Sequence, residues 1–408
     1  MNLSEIKGIS GVSITPEMLE KAIYNAGDPV PLANVLQKAI RGEEIIIAGF
    51  GGSITEGVGM NDNPPPESNI ECTLSPECYF DRVCDWWEDT FSCKVKRVNA
   101  GIAATDTVFG IHRMETDVLQ FKPDLVILEW CCNDGSEYLY KQATYENMVR
   151  KFINSGVAVI LLSMSIRNGT SSQALHEPVA DYYDIPMISY RDAYFENEKY
   201  PFFTTDGVHP NKVGCALAAL IINSYVNKIY KSLNSIEKAV PTMPLKPLFE
   251  ETLCYNNTYV ADLKDVYEGK YEGIKIADLG AFTMDSQNTS FAYRSYYGFS
   301  AYSSCGKEPM IIEIDRCKTL FLLLYRNTNF RGVDFMVEIN GRELTSETFT
   351  SQHGNDNSQT EWDYHWATER ICNHSDGETV TLKIYPQVTS ETQCVKLFSL
   401  LVSQKESM

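Results

Sequence analysis

Between residues 43 and 235, short runs that are apolar along their whole length alternate with longer amphipathic ones, and this alternation leaves few folds open. The runs at 44–49, 94–99, 124–129 and 157–163, with a short one at 187–189, lack the every-second-residue pattern of a half-exposed strand. They read as strands buried on both faces. The spacing between them predicts helices over 78–91, 107–120, 145–155 and 171–183, with 212–233 closing the unit. Such a rhythm builds a parallel sheet covered by helices, an α/β architecture. Residues 1–42 precede it as an N-terminal helical extension, with one or two helices over 11–41.

The stretch 236–247 carries three prolines and neither helical nor strand periodicity, and reads as a linker. From 248 to 408 the character changes to β-rich runs at 310–314, 319–325, 334–339, 379–385 and 395–402. Asn340-Gly341 and Asp376-Gly377 supply turn signals. The expectation is a second, all-β domain, an antiparallel sandwich of jelly-roll-like form. A chain of 408 residues is long enough for two such cores.

Charge narrows the partners. With 54 acidic against 35 basic side chains, the net charge of −19 repels phosphate backbones and anionic headgroups, which argues against nucleic acid and membrane as partners. The first ten residues show no basic, then apolar, leader pattern. No segment reads as the ~20 apolar residues that span a bilayer, and the expected location is cytoplasmic. The twelve cysteines are irregularly spaced without a C-x-x-C pair, so free thiols are expected and neither a metal nor a cofactor is implied. Whether the chain forms a homo-oligomer is left open.

The chemistry concentrates at the ends of the apolar runs. Residues 45–57 form a strand running into Gly51-Gly52-Ser53-Ile54-Thr55. A dinucleotide fingerprint would need glycine at 54, a phosphate-binding loop would need Gly-Lys-Ser/Thr, and a G-x-S-x-G elbow would need glycine at 55. An isolated Gly-Gly-Ser is also compatible with a simple turn. At the far end of the unit stands Asp206-Gly207-Val208-His209-Pro210, which places a carboxylate and an imidazole three residues apart. A serine hydroxyl needs a base to accept its proton, and the base needs a carboxylate to fix its tautomer. Asn99-Ala100-Gly101 and Glu129-Trp130-Cys131-Cys132-Asn133-Asp134 follow the second and third strands, and could offer donors to a developing oxyanion. In a doubly wound sheet all these strand ends open on one edge.

Taken in order, the blocks Gly-Gly-Ser53-Ile-Thr, Asn-Ala-Gly101, Glu-x-x-x-Asn133-Asp and Asp206-Gly-Val-His209-Pro resemble those of the SGNH (GDSL-like) hydrolases, over about residues 43–235. The first block departs from Gly-Asp-Ser-Leu in a way similar to a branch of bacterial carbohydrate acetylesterases. The resemblance implies a flavodoxin-like three-layer fold and metal-free ester hydrolysis through an acyl-enzyme. Ser53 would be the nucleophile, His209 the base and Asp206 its orienting carboxylate. The Ser53 and Gly101 amides and the Asn133 side chain would form the oxyanion hole. It further implies an acetylated, mannan- or xylan-derived oligosaccharide as substrate. Two alternatives stand beside that reading, an esterase, lipase or thioesterase acting on a non-carbohydrate acyl group, and a non-catalytic carbohydrate-binding protein.

Weaker candidates for substrate contact are Gly52, Trp130, Trp362 and Trp366. The run Glu361-Trp362-Asp363-Tyr364-His365-Trp366 suits a sugar-stacking surface, but its alternate aromatics equally suit the buried face of a strand. His112, Arg113 and His176 are expected at surface or capping positions. Cys131 and Cys132 are expected to shape a pocket wall.

Overall fold

A computed structural model describes residues 14–58, 77–135, 139–195, 204, 206–236, 246–291, 294–326, 334–344, 365–388 and 394–406. The chain divides into two units, Met1–Thr252 and Leu253–Met408.

In the first unit, helix α1 (Pro16–Lys21), strand β1 (Ile23–Asn25) and helix α2 (Val30–Ile40) lead into β2 (Ile45–Gly51). There follow α3 (Ser53–Glu56), α4 (Tyr79–Phe91), β3 (Val95–Gly101), α5 (Thr107–Asp117) and β4 (Leu125–Glu129). The unit continues with α6 (Leu139–Asn154), β5 (Ala158–Ser163), α7 (Gln173–Tyr183), β6 (Met187–Ser189), α8 (Tyr190–Tyr194) and α9 (Lys212–Ser232). The strand order is β1-β6-β5-β4-β2-β3, parallel except for β1. Because β3 lies on one side of β2 and β4 on the other, the winding reverses at β2. The carboxyl end of that strand is therefore the crevice where a doubly wound sheet binds ligands.

Both faces of the sheet are covered, as the wholly apolar strands require. Ile45, Ile47, Leu125, Ile127, Ile160 and Leu162 share one core with Leu32 and Leu36 of α2, Phe80, Val83 and Trp87 of α4, and Leu217 and Ile221 of α9. Residues of opposite parity serve the other face, where Phe50 meets Trp130 and Phe152 edge-on, at centroid distances of 4.7 and 6.3 Å. Helix α4 forms because its apolar residues recur at helical spacing, and Val83, Cys84, Trp87 and Phe91 are all buried. Helix α9 is long and apolar enough by composition to pass for a membrane span, contrary to the sequence reading, but most of it is buried in the fold. Asn211 caps it, accepting from the Gly214 amide at 2.9 Å.

Residues 16–40 are woven into this unit, since β1 pairs antiparallel with β6 at the sheet edge and α2 lines the core. Residues 246–252 also belong to it. The buried Glu146 carboxylate of α6 accepts from the amides of Leu248 (2.6 Å) and Phe249 (3.0 Å) and from the Thr252 hydroxyl. The rest of the expected linker, 237–245, lies outside the described residues.

The second unit is all antiparallel. Its strands are β7 (Thr258–Asp262), β8 (Ile274–Asp278), β9 (Thr283–Phe291), β10 (Arg294–Tyr302), β11 (Met310–Arg326), β12 (Asp334–Ile339), β13 (Arg342–Leu344), β14 (His365–Gln387) and β15 (Cys394–Gln404), with a short helix α10 (Leu263–Tyr267). The expected leaves of a sandwich share strands. One half of β11 pairs with β8 and β14, and the other half with β15 and β14. The change occurs at register shifts around Cys317, beside Arg316 with φ +53°. Met310, Ile312 and Ile314 from the first half and Leu320 and Leu322 from the second line one core with Leu397, Leu400 and Val402. Asn340-Gly341 makes the tight turn between β12 and β13, with both residues left-handed. Asp376-Gly377 instead lies inside β14, where extra residues bulge out between the partners of Cys317 and Thr319.

Candidate active site

Strand β2 delivers the chain through Gly52 to Ser53, the first residue of α3, at the point where the sheet order reverses. The turn holding Asp206 and His209 precedes α9, and the bridge between Thr204 and Pro210 closes it. Inside that turn, Asp206 Oδ1 accepts from the amides of Val208 (2.9 Å) and His209 (2.8 Å), while Oδ2 faces His209 Nδ1 at 2.7 Å. An ionised carboxylate only accepts, so Nδ1 carries the proton. The neutral ring then turns the Nε2 lone pair toward Ser53 Oγ, 2.8 Å away. Two side chains 156 positions apart in the sequence thus meet. Both are nearly buried, with Ser53 7% and His209 8% exposed. Burial works against the Asp206 charge. The His209 ring and the two turn amides outweigh it and hold the Asp206 carboxyl well below the ordinary carboxylate range.

Beside the serine, Gly52 faces the Asn133 carboxamide, and a methyl group at 52 would stand 2.6 Å from Asn133 Oδ1. The Ser53 amide is the first of its helix and has no acceptor within it, and Gly52 has no side chain to cap it. Gly101 is placed differently from what its block suggests. Its N–H donates to Asn99 Oδ1 at 3.0 Å, and an added Cβ would overlap the backbone of Thr55 and Glu56. In this arrangement the Gly101 amide is engaged by Asn99. The need for glycine at 101 is one of close packing.

Trp130, a candidate for substrate contact, is enclosed in the fold. It is 0% exposed, packed edge-on to Phe50 and against Gly110. Trp362 lies outside the described residues, and Trp366 falls on β14 of the second unit.

Under the site runs a layer of buried polar groups that the sequence reading assigned to the surface or left aside. Arg113 is fully buried. It donates to the carbonyls of Ala100 (2.8 Å) and Gly51 (3.1 Å), pairs with Asp117 at 3.0 Å and lies 4.6 Å over the Phe50 ring. It thereby ties together the ends of β2 and β3. Glu129, at the end of β4, is also buried. Its Oε2 accepts from Thr55 Oγ1 at 3.3 Å, and burial pushes its carboxyl up to about 8. His176 on α7 is fully buried between Asp134 and Cys131, with Nε2 2.8 Å from Asp134 Oδ2 and Nδ1 3.3 Å from Cys131 Sγ. Burial opposes charge on this ring, but Cys131 and Asp134 favour it and push the His176 pKa up to about 10. His112 is buried as well, its Nδ1 2.6 Å from the Val108 carbonyl, and burial lowers its pKa to about 4. One signal for Arg113 was present in the sequence: a charge among the apolar positions of a helix, four residues before Asp117. Cys131 and Cys132 are free thiols, as expected.

Comparison with known proteins places this arrangement. No curated protein matches the chain. Among solved structures, the chain is similar to a two-domain esterase active on acetylated mannans, at 23% identity and a TM-score of 0.75, over 95% of this chain and 99% of that one. It is similar also to such an esterase co-crystallized with mannopentaose, at 24% identity and a TM-score of 0.73, with the same coverage. At these identities the likeness is one of fold, an α/β unit followed by an antiparallel β unit. Residues 50–217 match the GDSL-like Lipase/Acylhydrolase family. Ser53, at the end of the central strand, and His209, before the last helix of the first unit, both fall inside the stretch that matches this family.

Proposed function

We propose that this protein is a serine esterase that removes acetyl groups from acetylated oligosaccharides of mannan or xylan type. The observation that carries the reading is the 2.8 Å contact between His209 Nε2 and Ser53 Oγ, with Asp206 on the far side of the ring. Ser53 Oγ attacks the ester carbonyl as His209 takes its proton, and the Asp206 carboxylate stabilises the imidazolium that forms. The tetrahedral oxyanion is received by the Ser53 amide and the Asn133 carboxamide, each such donor being worth about 3 kcal/mol in the transition state. His209 then returns the proton to the departing sugar hydroxyl. In the second half of the cycle His209 deprotonates a water, which attacks the acetyl-serine and releases acetate.

The acetyl-carbohydrate assignment draws its support from the two-domain esterases that share the fold across both units. The test is acetate release from acetylated manno-, xylo- and chito-oligosaccharides, wild type beside Ser53→Ala. Ser53-dependent release from a manno- or xylo-oligosaccharide is expected. Turnover confined to long-chain or thioester substrates would replace the substrate assignment. Absence of any Ser53-dependent hydrolysis would remove the esterase reading.

A further inference from the structure

The loop that carries Asn133 is gripped on both flanks by one side chain. His176 lies a full helical turn into α7 and reaches Cys131 Sγ with one ring nitrogen and Asp134 Oδ2 with the other, at 3.3 and 2.8 Å. Its ring is stacked on Tyr145, with centroids 3.8 Å apart and planes within 11°, which fixes its orientation. The two flanking residues are themselves anchored. The Cys131 carbonyl accepts from the Ser172 amide at 2.6 Å. Asp134 Oδ1 accepts from the Thr107 amide (2.9 Å) and hydroxyl (3.0 Å) at the start of α5. Between them Asn133 donates its amide to the Trp130 carbonyl at 2.9 Å. Among the described residues no hydrogen bond holds the Asn133 carboxamide itself, so its direction is set by its backbone and by the Gly52 contact. Cys131, Asp134 and His176 are all essentially unexposed, so water does not compete for these bonds.

We infer that His176, through Cys131 and Asp134, is a positioning residue for the reaction, holding the Asn133 carboxamide where the oxyanion forms. This rests on the reading of Asn133 as an oxyanion donor. His176 touches neither substrate nor the reacting atoms, so its effect passes through Asn133. A displacement of about 1 Å in a positioned group can cost about a hundredfold in rate.

The test is a double-mutant cycle on 4-nitrophenyl acetate hydrolysis, with rates normalised to folded protein by near-UV circular dichroism. His176→Ala is measured alone and combined with Asn133→Ala. The expected result is a fall in kcat on the order of 30-fold with little change in KM for His176→Ala alone, and almost no further fall in the Asn133→Ala background. If His176→Ala does not fold, Cys131→Ala, which leaves the His176–Asp134 bond in place, enters the same cycle. Its several-fold loss should likewise vanish when Asn133 is alanine. Equal losses in both backgrounds, or full activity in folded His176→Ala, would overturn the inference while leaving Asn133 in its role. Unimpaired Asn133→Ala would overturn that role and the inference with it.

Discussion

Gly52 faces the Asn133 carboxamide so closely that a Cβ at 52 would lie 2.6 Å from Asn133 Oδ1 and could enter only by moving it. Gly52 has φ −91°, so the backbone tolerates alanine and the conflict falls on the free end of the asparagine side chain. Gly52→Ala should therefore fold with a Tm close to wild type and displace the carboxamide. The expected loss is in kcat, about a hundredfold if the donor is lost completely. A variant that folds and turns over at the wild-type rate would separate Asn133 from the oxyanion.

Ser53→Ala and His209→Ala should each abolish hydrolysis down to the rate that positioning alone supports. Their combination should be no worse than either alone, because the two act as one unit. The measurement is kcat for the singles and the double on the same ester. Multiplying losses would mean that serine and imidazole work in separate steps.

Much of this site could be read before any coordinates. Serine, asparagine and histidine stand in blocks at strand ends, and a parallel sheet gathers its strand ends on one edge. The parts that escaped the reading did so for different reasons. Gly101 looked like a donor because glycine lets an amide approach a ligand. Its amide instead turns to Asn99, a neighbour two residues back. His176 looked like a surface group because nothing local announces its partner Asp134, and for Arg113 the local Asp117 gave no sign of the Gly51 and Ala100 carbonyls it also meets. In the second unit β9 was missed because it is mainly polar, with residues such as Asp285, Ser286, Gln287 and Asn288 along it, and β8 because it is only five residues long. The two runs at 310–314 and 319–325 turned out to be one strand, bent at the bulge around Cys317.

The buried Glu129 carboxyl makes stability depend on pH. Burial raises it to about 8, against an ordinary value of 4.5, so between those values the folded chain keeps a proton that the unfolded chain releases. Its contribution is fully present below pH 4.5 and is lost as the pH rises through about 8. His176, raised to about 10, loses stability in the same direction but at higher pH, and does so equally in both proteins compared here. Glu129→Gln keeps the shape and removes the titration. Near pH 5 the variant should be close to wild type, and by pH 9 it should have gained on it by about 4 kcal/mol. Thermal unfolding followed from pH 5 to 9 measures this, and parallel curves for the two proteins would show that Glu129 stays ionised when folded.

Glu146 offers a test of how residues 246–252 are held to the first unit. Its buried carboxylate gathers the Leu248 and Phe249 amides and the hydroxyls of Thr252 and Tyr183, and the neighbouring Asn147 amide donates to the Thr252 carbonyl at 2.9 Å. Removing an acceptor shared by two buried hydroxyls and two half-buried amides costs more than the net worth of its bonds, because the buried donors are left without a partner. Glu146→Ala should lower stability by about 3 kcal/mol. The exchange of the Leu248 and Phe249 amides with deuterium should accelerate by a far larger factor than that of amides in β4, because only the first pair loses its direct acceptor. Uniform acceleration across the unit would mean that Glu146 supports the core as a whole. Selective acceleration would show that this carboxylate is the clasp for the segment that leads out of the α/β unit.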